Sequence, residues 1–164
     1  MEKDASKESW KNYPIREPKL VVIKNIDPKL KLHFSIEQYN NLKKGLIPKE
    51  MEDKWFIYFE DNWLYFHRSW TGYGQYKAEI IEIRENDVLI YAIQEFYVER
   101  DKEYYTNDDD CHDFDIFLQL LFWGLLKIDV REIYFKKYGN DNSQIMSVWS
   151  NFGRMHFNVD NKDE

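Results

Sequence analysis

The stretch of the chain best equipped for chemistry is the run HRSWTG, residues 67–72. Arg68 offers a planar fork of donors that suits a phosphate or a carboxylate, and His67 offers an imidazole that titrates near neutral pH. Trp70 and Tyr76 offer flat faces on which a base or a sugar can stack. The residues predicted to bind a ligand are His67, Arg68, Ser69, Trp70, Thr71 and Tyr76. These side chains together favour a site for a nucleotide-like small molecule.

A purely structural role for the same residues is an open alternative. Strand alternation places Arg68 opposite Trp55, where the guanidinium can stack on the indole. His67 would then be a satisfied histidine under a helix, and Trp70 and Tyr76 would belong to the core. A third interpretation is a small enzyme in which His67 acts as acid or base and Arg68 holds an anion.

The segment must be positioned by a β-hairpin. The aromatic runs KWFIYFE and WLYFHRSW flank Asp61-Asn62, and a two-residue turn is the shortest connection between them. This turn pairs Tyr58 with Tyr65 and leaves residues 67–72 at the end of the second strand. The hairpin therefore predicts a site at a junction between a strand and a loop.

A second hairpin follows, in which QYKAEIIEIR and VLIYAIQEF flank a turn at Asn86-Asp87. This turn pairs Ile83 with Ile90. Together the two hairpins predict an antiparallel four-stranded, or larger, meander sheet over residues 54–98. A further β-branched run, KLVVIKNI at residues 19–26, predicts a short strand before it.

Helices are predicted both before and after the strands of this sheet along the sequence. Ser35 and Gln38 match a capping box, and Gly45 marks the end of that helix. Apolar residues from Phe114 to Ile128 share one face, which predicts a long amphipathic helix over Asp110–Ile128 that packs on the sheet. A shorter helix is expected over Asn142–Met155.

The predicted fold class is therefore α+β. The expected organisation is a polar N-terminal tail at residues 1–18, a single α+β domain at residues 19–158 and a polar C-terminal tail at residues 159–164. The N-terminal tail should become ordered only where it packs on the body of the domain.

Composition restricts the class of protein further. Aromatic residues make up 18% of the 164 positions, and the single cysteine excludes a disulfide framework and a cysteine-based zinc cluster. We find no apolar run near the roughly 20 residues that span a bilayer, and no apolar signal region at the N-terminus. A cytoplasmic protein without membrane contact and without a cofactor is expected. Abundant Lys and Asn with little Ala suggest an AT-rich bacterial or phage genome.

The net charge of −7 arises from one region. Eleven acidic and two basic residues lie between Glu85 and Asp115, so this segment carries nine negative charges and the remainder about two positive ones. No basic stripe is visible, so a nucleic-acid partner is not expected. The acidic segment could instead bind a basic protein, as an immunity or anti-defence protein does.

An acidic triplet, Asp108, Asp109 and Asp110, lies within this segment. With His112, Asp113 and Asp115 it superficially suggests a metal site, but carboxylates are also favoured at the start of a helix. We favour helix capping, and no metal is predicted.

The stretch from Met51 to Ile80, with its segments WFIYFE, LYFHRSWTG and a following Tyr, resembles a segment of small uncharacterised bacterial proteins. In some of those chains a similar domain accompanies an ADP-ribosylglycohydrolase-type or macro-type ADP-ribose domain. The resemblance implies nucleotide or ADP-ribose chemistry nearby, and it supplies no catalytic residues.

Overall fold

A six-stranded antiparallel sheet forms the centre of the molecule. The computed structural model describes residues 3–21 and 32–128 of the chain. The strands are β1 (Pro18–Leu20), β2 (His33–Phe34), β3 (Trp55–Glu60), β4 (Trp63–Arg68), β5 (Gly74–Glu85) and β6 (Val88–Glu99). Their order is β1-β6-β5-β4-β3, and β2 also pairs with β6. Together with two helices this sheet gives the predicted α+β class.

Both predicted hairpin turns are confirmed. In the first hairpin Tyr58 pairs with Tyr65, and in the second Ile83 pairs with Ile90. All four turn residues have positive φ, with 51° and 73° at Asp61-Asn62 and 52° and 63° at Asn86-Asp87. This backbone matches the twist of the flanking strands, and Asn and Asp tolerate it better than other non-glycine residues.

The strand predicted at residues 19–26 is seen only at its beginning. β1 pairs antiparallel with the end of β6, Leu20 opposite Tyr97. Residues 22–31 lie outside the described part of the chain, as does the helix predicted over Asn142–Met155.

Helix α1 (Ile36–Lys44) begins and ends where the sequence predicts. The Ser35 hydroxyl accepts a hydrogen bond from the Gln38 amide, and the Gln38 side chain accepts one from the Ser35 amide, which completes the capping box. Gly45 ends the helix with φ of +65°.

The long amphipathic helix predicted over Asp110–Ile128 is not what the structure contains. Helix α2 covers Asp110–Gln119, and a π-helical segment, Leu120–Leu125, continues it. Every residue from Asp115 to Leu125 is buried. The apolar residues surround the axis instead of forming a stripe, which is typical of a helix inside the core.

The sheet has two differently covered faces. On one face Phe66 and Phe96 pack against Phe117 of α2, with ring centroids 5.4 and 4.3 Å apart. On the other face Phe56 and Tyr58 form a second cluster, which the N-terminal residues and Ile47 cover. Ala5 and Trp10 of the N-terminal residues thus lie on this second face of the sheet.

Candidate functional site

The loop that follows β4 is fixed by the N-terminal segment, residues 3–17. The Gly72 amide donates to the Arg68 carbonyl at 2.8 Å, which closes the loop. The Tyr13 backbone makes two hydrogen bonds to the end of this loop. Its amide donates to the Gly72 carbonyl, and its carbonyl accepts from the Gly74 amide. A Cβ at Gly74 would stand 2.9 Å from the Tyr13 carbonyl oxygen, so this close approach requires glycine.

His67 is an interior residue. Its side chain is 3% exposed, and its ring stacks on Tyr58 with centroids 5.7 Å apart. Nδ1 donates to the Gly72 carbonyl at 3.1 Å, while Nε2 is buried without a hydrogen-bond partner in the described structure. Burial lowers the pKa of His67 to about 4, although the bond to Gly72 opposes this shift. The imidazole is therefore neutral at pH 7 and helps to hold the loop.

Arg68 lies on the opposite face, as the structural alternative predicts. Its guanidinium carbon is 4.9 Å from the centre of the Trp55 ring. Burial lowers the pKa of Arg68, and the neighbouring Tyr76 and Tyr105 partly oppose this effect. Stacking on Trp55 gives this side chain a role in packing, and its use as an anion clamp remains a prediction.

Tyr76 belongs to a buried polar network centred on Asp113. The Asp113 carboxylate is fully buried and accepts hydrogen bonds from Tyr76 at 2.9 Å, from Asn107 at 2.9 Å and from Tyr105. Arg100 donates to its other oxygen at 2.7 Å. Burial, together with the nearby Tyr105 and Asp113, raises the pKa of Tyr76 well above its ordinary value. The phenol therefore stays protonated and connects the sheet to α2.

Ser69, Trp70 and Thr71 lie at the borders of cavities. The Ser69 hydroxyl donates to the Asp53 carbonyl at 2.6 Å, and the Trp70 side chain is 67% exposed. Ser69 and Trp70 line one cavity, and Thr71 lines another. Neither of these two cavities includes His67, Arg68 or Tyr76. The structure thus divides the six predicted residues between the interior and two separate surfaces.

The cavity beside Thr71, here called the tyrosine pocket, has a volume of about 320 Å³. Its main lining residues are Tyr13, Arg16, Thr71, Tyr73, Glu99 and Tyr104. The Tyr73 ring meets the other two tyrosine rings edge to face, with centroids 6.3 Å from Tyr13 and 4.8 Å from Tyr104. These contacts fix the rings that surround the pocket.

Two charged residues, Arg16 and Glu99, line the tyrosine pocket. The Arg16 guanidinium lies over the Tyr104 ring at 4.6 Å, and no carboxylate pairs with it among the residues that the structure describes. The Glu99 carboxylate is buried and accepts hydrogen bonds from the amides of Arg16, Glu17 and Asp101 at 2.6, 2.8 and 3.0 Å. Three amide donors compensate the charge of Glu99, whereas Arg16 keeps donors for a ligand.

Sequence reasoning missed Tyr13, Arg16 and Tyr104. Tyr13 and Arg16 lie in a segment that is predicted to be a tail because its composition is polar. Tyr104 lies in the acidic loop after β6. The signal that could have identified them is the pattern WKNYPIRE, which combines aromatic and cationic side chains beside a proline. Such a segment can pack on a sheet as well as extend into solvent.

Within the acidic segment, several carboxylates have partners inside the chain. Asp109 caps α2, because its side chain accepts from the His112 amide at 3.1 Å, which confirms the predicted cap. Asp110 pairs with Lys19 and Arg100, each at 2.6 Å. In residues 3–21 and 32–128 we find no group of three or more His, Cys, Asp or Glu side chains that could hold a metal ion.

No protein-family model, no curated protein and no solved structure matches the chain. In the described ranges, no helix is both long and apolar enough to cross a membrane. A proposal about function must therefore come from the geometry of the cavities.

Proposed function

We propose that the protein is a small binding module for a nucleotide-like molecule, which it holds in the tyrosine pocket. The observation that carries this proposal is the Arg16 guanidinium, which lies at the pocket without a carboxylate partner in the described structure. A phosphate on this fork would receive two parallel charge-assisted hydrogen bonds. The ring of the ligand would pack on the tyrosines beside it.

The size and the remaining groups of the pocket support the same class of ligand. A volume of about 320 Å³ lies at the lower end for small-molecule sites and suits one ring with one phosphate. The Thr71 side chain, which is exposed, adds a hydroxyl group for a sugar. An ADP-ribose-like ligand would place one ring and one phosphate in the pocket, in line with the resemblance of residues 51–80.

The test is a thermal-shift and calorimetric titration with AMP, ADP-ribose and inorganic phosphate. A ligand that binds only the native state must raise the melting temperature. We expect AMP or ADP-ribose to raise it more than phosphate alone, because only the nucleotides also contact the tyrosines.

Two arginine variants make this test specific. Arg16→Ala should weaken binding by roughly 1.5–3 kcal/mol, the usual range for a hydrogen bond to a charged group. Arg84→Ala, at an exposed position near the turn between β5 and β6, should leave binding unchanged. Equal affinities of the two variants, or no melting shift with any of the nucleotides, would overturn the proposal.

A further inference from the structure

Five lysines that are far apart in the sequence meet on one side of the molecule. One cavity, of about 640 Å³, is lined by Lys3, Lys44, Lys49 and Lys127 with the single carboxylate Asp4. A second cavity, of about 540 Å³, is lined by Lys11, Lys49 and the single carboxylate Glu50. Because Lys49 lines both, the cavities adjoin, and we call them together the basic groove.

The basic groove is positive in a chain that is negative overall. Its five lysines and two carboxylates give a formal charge of +3, against −7 for the whole chain. Concave surfaces of one charge concentrate the field and attract ligands of the opposite charge. The groove therefore favours an extended anion.

Two tryptophans lie at the end of the basic groove, and each is held by a hydrogen bond. The Trp70 indole donates to the Met51 carbonyl at 2.7 Å, and the Trp10 indole donates to the Ser69 carbonyl at 2.7 Å. The Trp70 side chain is nevertheless 67% exposed. A ring that is fixed in orientation and open to solvent offers a face for stacking at little entropic cost.

This combination discriminates between classes of anion. An acidic peptide would use the lysines but has no general need for a flat, exposed indole. An anionic membrane would also meet the lysines, but its headgroups carry no flat ring that could stack on the exposed indole. A charged groove next to an aromatic face is the arrangement that binds single-stranded nucleic acid without sequence preference.

We propose that the basic groove binds a single-stranded oligonucleotide. Lys3, Lys11 and Lys44 contact successive phosphates, and a base stacks on Trp70. This site is separate from the tyrosine pocket, because the two share no lining residue. The sequence showed no basic stripe because positions 3, 11, 44, 49 and 127 come together only in the fold.

The experiment is a fluorescence-anisotropy titration of fluorescein-labelled dT12 with the full chain at 50 and 200 mM NaCl. If about three phosphates are neutralised, the affinity should fall roughly 20-fold between these salt concentrations, since each phosphate on a single strand contributes about 0.7 to the slope. A blunt duplex of the same length should bind more weakly, because its bases are not free to stack.

Variants separate the two kinds of contact. Trp70→Ala should weaken binding roughly 5- to 100-fold, and Trp70→Phe should retain most of the affinity because a stacking face remains. Lys11→Gln and Lys44→Gln should each make the salt dependence shallower by roughly 0.7 in slope. The control is Lys102→Gln in the acidic segment, at a side chain that is 74% exposed, which should leave the slope unchanged.

Several results would overturn the proposal. These are absence of dT12 binding at 50 mM NaCl, equal affinity for the duplex, or variants at Trp70 and the groove lysines that bind like the Lys102 control. Binding to phosphatidylserine vesicles without binding to dT12 would assign the groove to a lipid surface instead. Circular dichroism of each variant shows that loss of binding does not come from loss of fold.

Discussion

At the scale of single residues, two of the side chains predicted to bind a ligand, His67 and Tyr76, are buried in the protein interior. His67 stacks on Tyr58 and bonds to a backbone carbonyl, and Tyr76 donates to the buried Asp113. Residue type alone does not separate a buried donor from a ligand contact, because both require a partner for the same atoms. Burial decides between them, and burial depends on the N-terminal segment and on α2.

The buried imidazole makes stability depend on pH. The unfolded His67 titrates near pH 6.5, whereas its pKa in the folded protein is about 4. The unfolded chain therefore binds a proton first, so stability is complete above about pH 6.5 and is lost as the pH falls towards 4. The full difference corresponds to about 3 kcal/mol.

His67→Phe keeps a ring against Tyr58 but removes this titration. Chemical denaturation at pH 7 and pH 4 should show that the wild type loses about 3 kcal/mol more than the variant over this interval. Carboxylates that titrate in the same range contribute equally to both proteins and cancel. Parallel pH profiles of the two proteins would show that His67 is not the group that titrates.

The Asp113 network makes a second prediction at this scale. Asp113→Ala removes the buried carboxylate that pairs with Arg100. The Arg100 side chain is only 14% exposed, and its Nε is buried without a hydrogen-bond partner in the described structure. We expect the free energy of unfolding to fall by roughly 3–5 kcal/mol, as for other broken buried ion pairs.

The matched control is Asp108→Ala in the same acidic segment. Its carboxylate is 70% exposed and lies 3.6 Å from Lys102, so the loss should be below about 1 kcal/mol. Urea denaturation measures both variants. Similar losses at the two positions would show that the buried network does not stabilise the fold more than a surface pair does.

At the scale of elements, local chemistry predicted the turns and the cap well. The positive φ angles at Asp61-Asn62 and at Asn86-Asp87 are set by residues adjacent in the sequence. The capping box of α1 likewise involves residues only three positions apart. The division of residues 110–128 into an α-helix and a π-helical segment was not predictable in this way. It depends on how bulky side chains such as Trp123 fit against the sheet, which is a tertiary effect.

Gly45, at the end of α1, lies where a side chain would collide with its neighbours. Its φ is +65°, and a Cβ there would stand 2.3 Å from the Ile57 carbonyl oxygen and 2.9 Å from the Ala5 side chain. Gly45→Ala should therefore lower the free energy of unfolding by at least about 2 kcal/mol, through backbone strain and displacement of β3.

The comparison variant lies one turn earlier in α1. Asn40 is exposed in the helix interior, and Asn40→Ala should leave stability unchanged or raise it by a few tenths of a kcal/mol. Thermal denaturation of both variants measures the difference. A Gly45→Ala protein as stable as Asn40→Ala would mean that the backbone around residue 45 relaxes without cost.

At the scale of the whole molecule, charge is divided between two regions. The acidic segment uses Glu99, Asp110 and Asp113 in internal contacts, while lysines from distant parts of the chain line the basic groove. Net charge and linear patterning predicted the first region and could not predict the second. The sheet and its hairpins follow from local signals, whereas the candidate sites follow from contacts between remote segments.

The N-terminal segment, described above as the cover of one sheet face, also sets an order of events during folding. Trp10 bonds to a residue 59 positions later, and the amides of Arg16 and Glu17 bond to Glu99, 83 and 82 positions later. On the ribosome this segment is made before β4 and β6, and it cannot dock until both have been synthesised. Contacts between such distant positions form late and slow the folding of a chain. The tyrosine pocket and the basic groove both contain residues of this segment, so neither site is complete until the segment has docked.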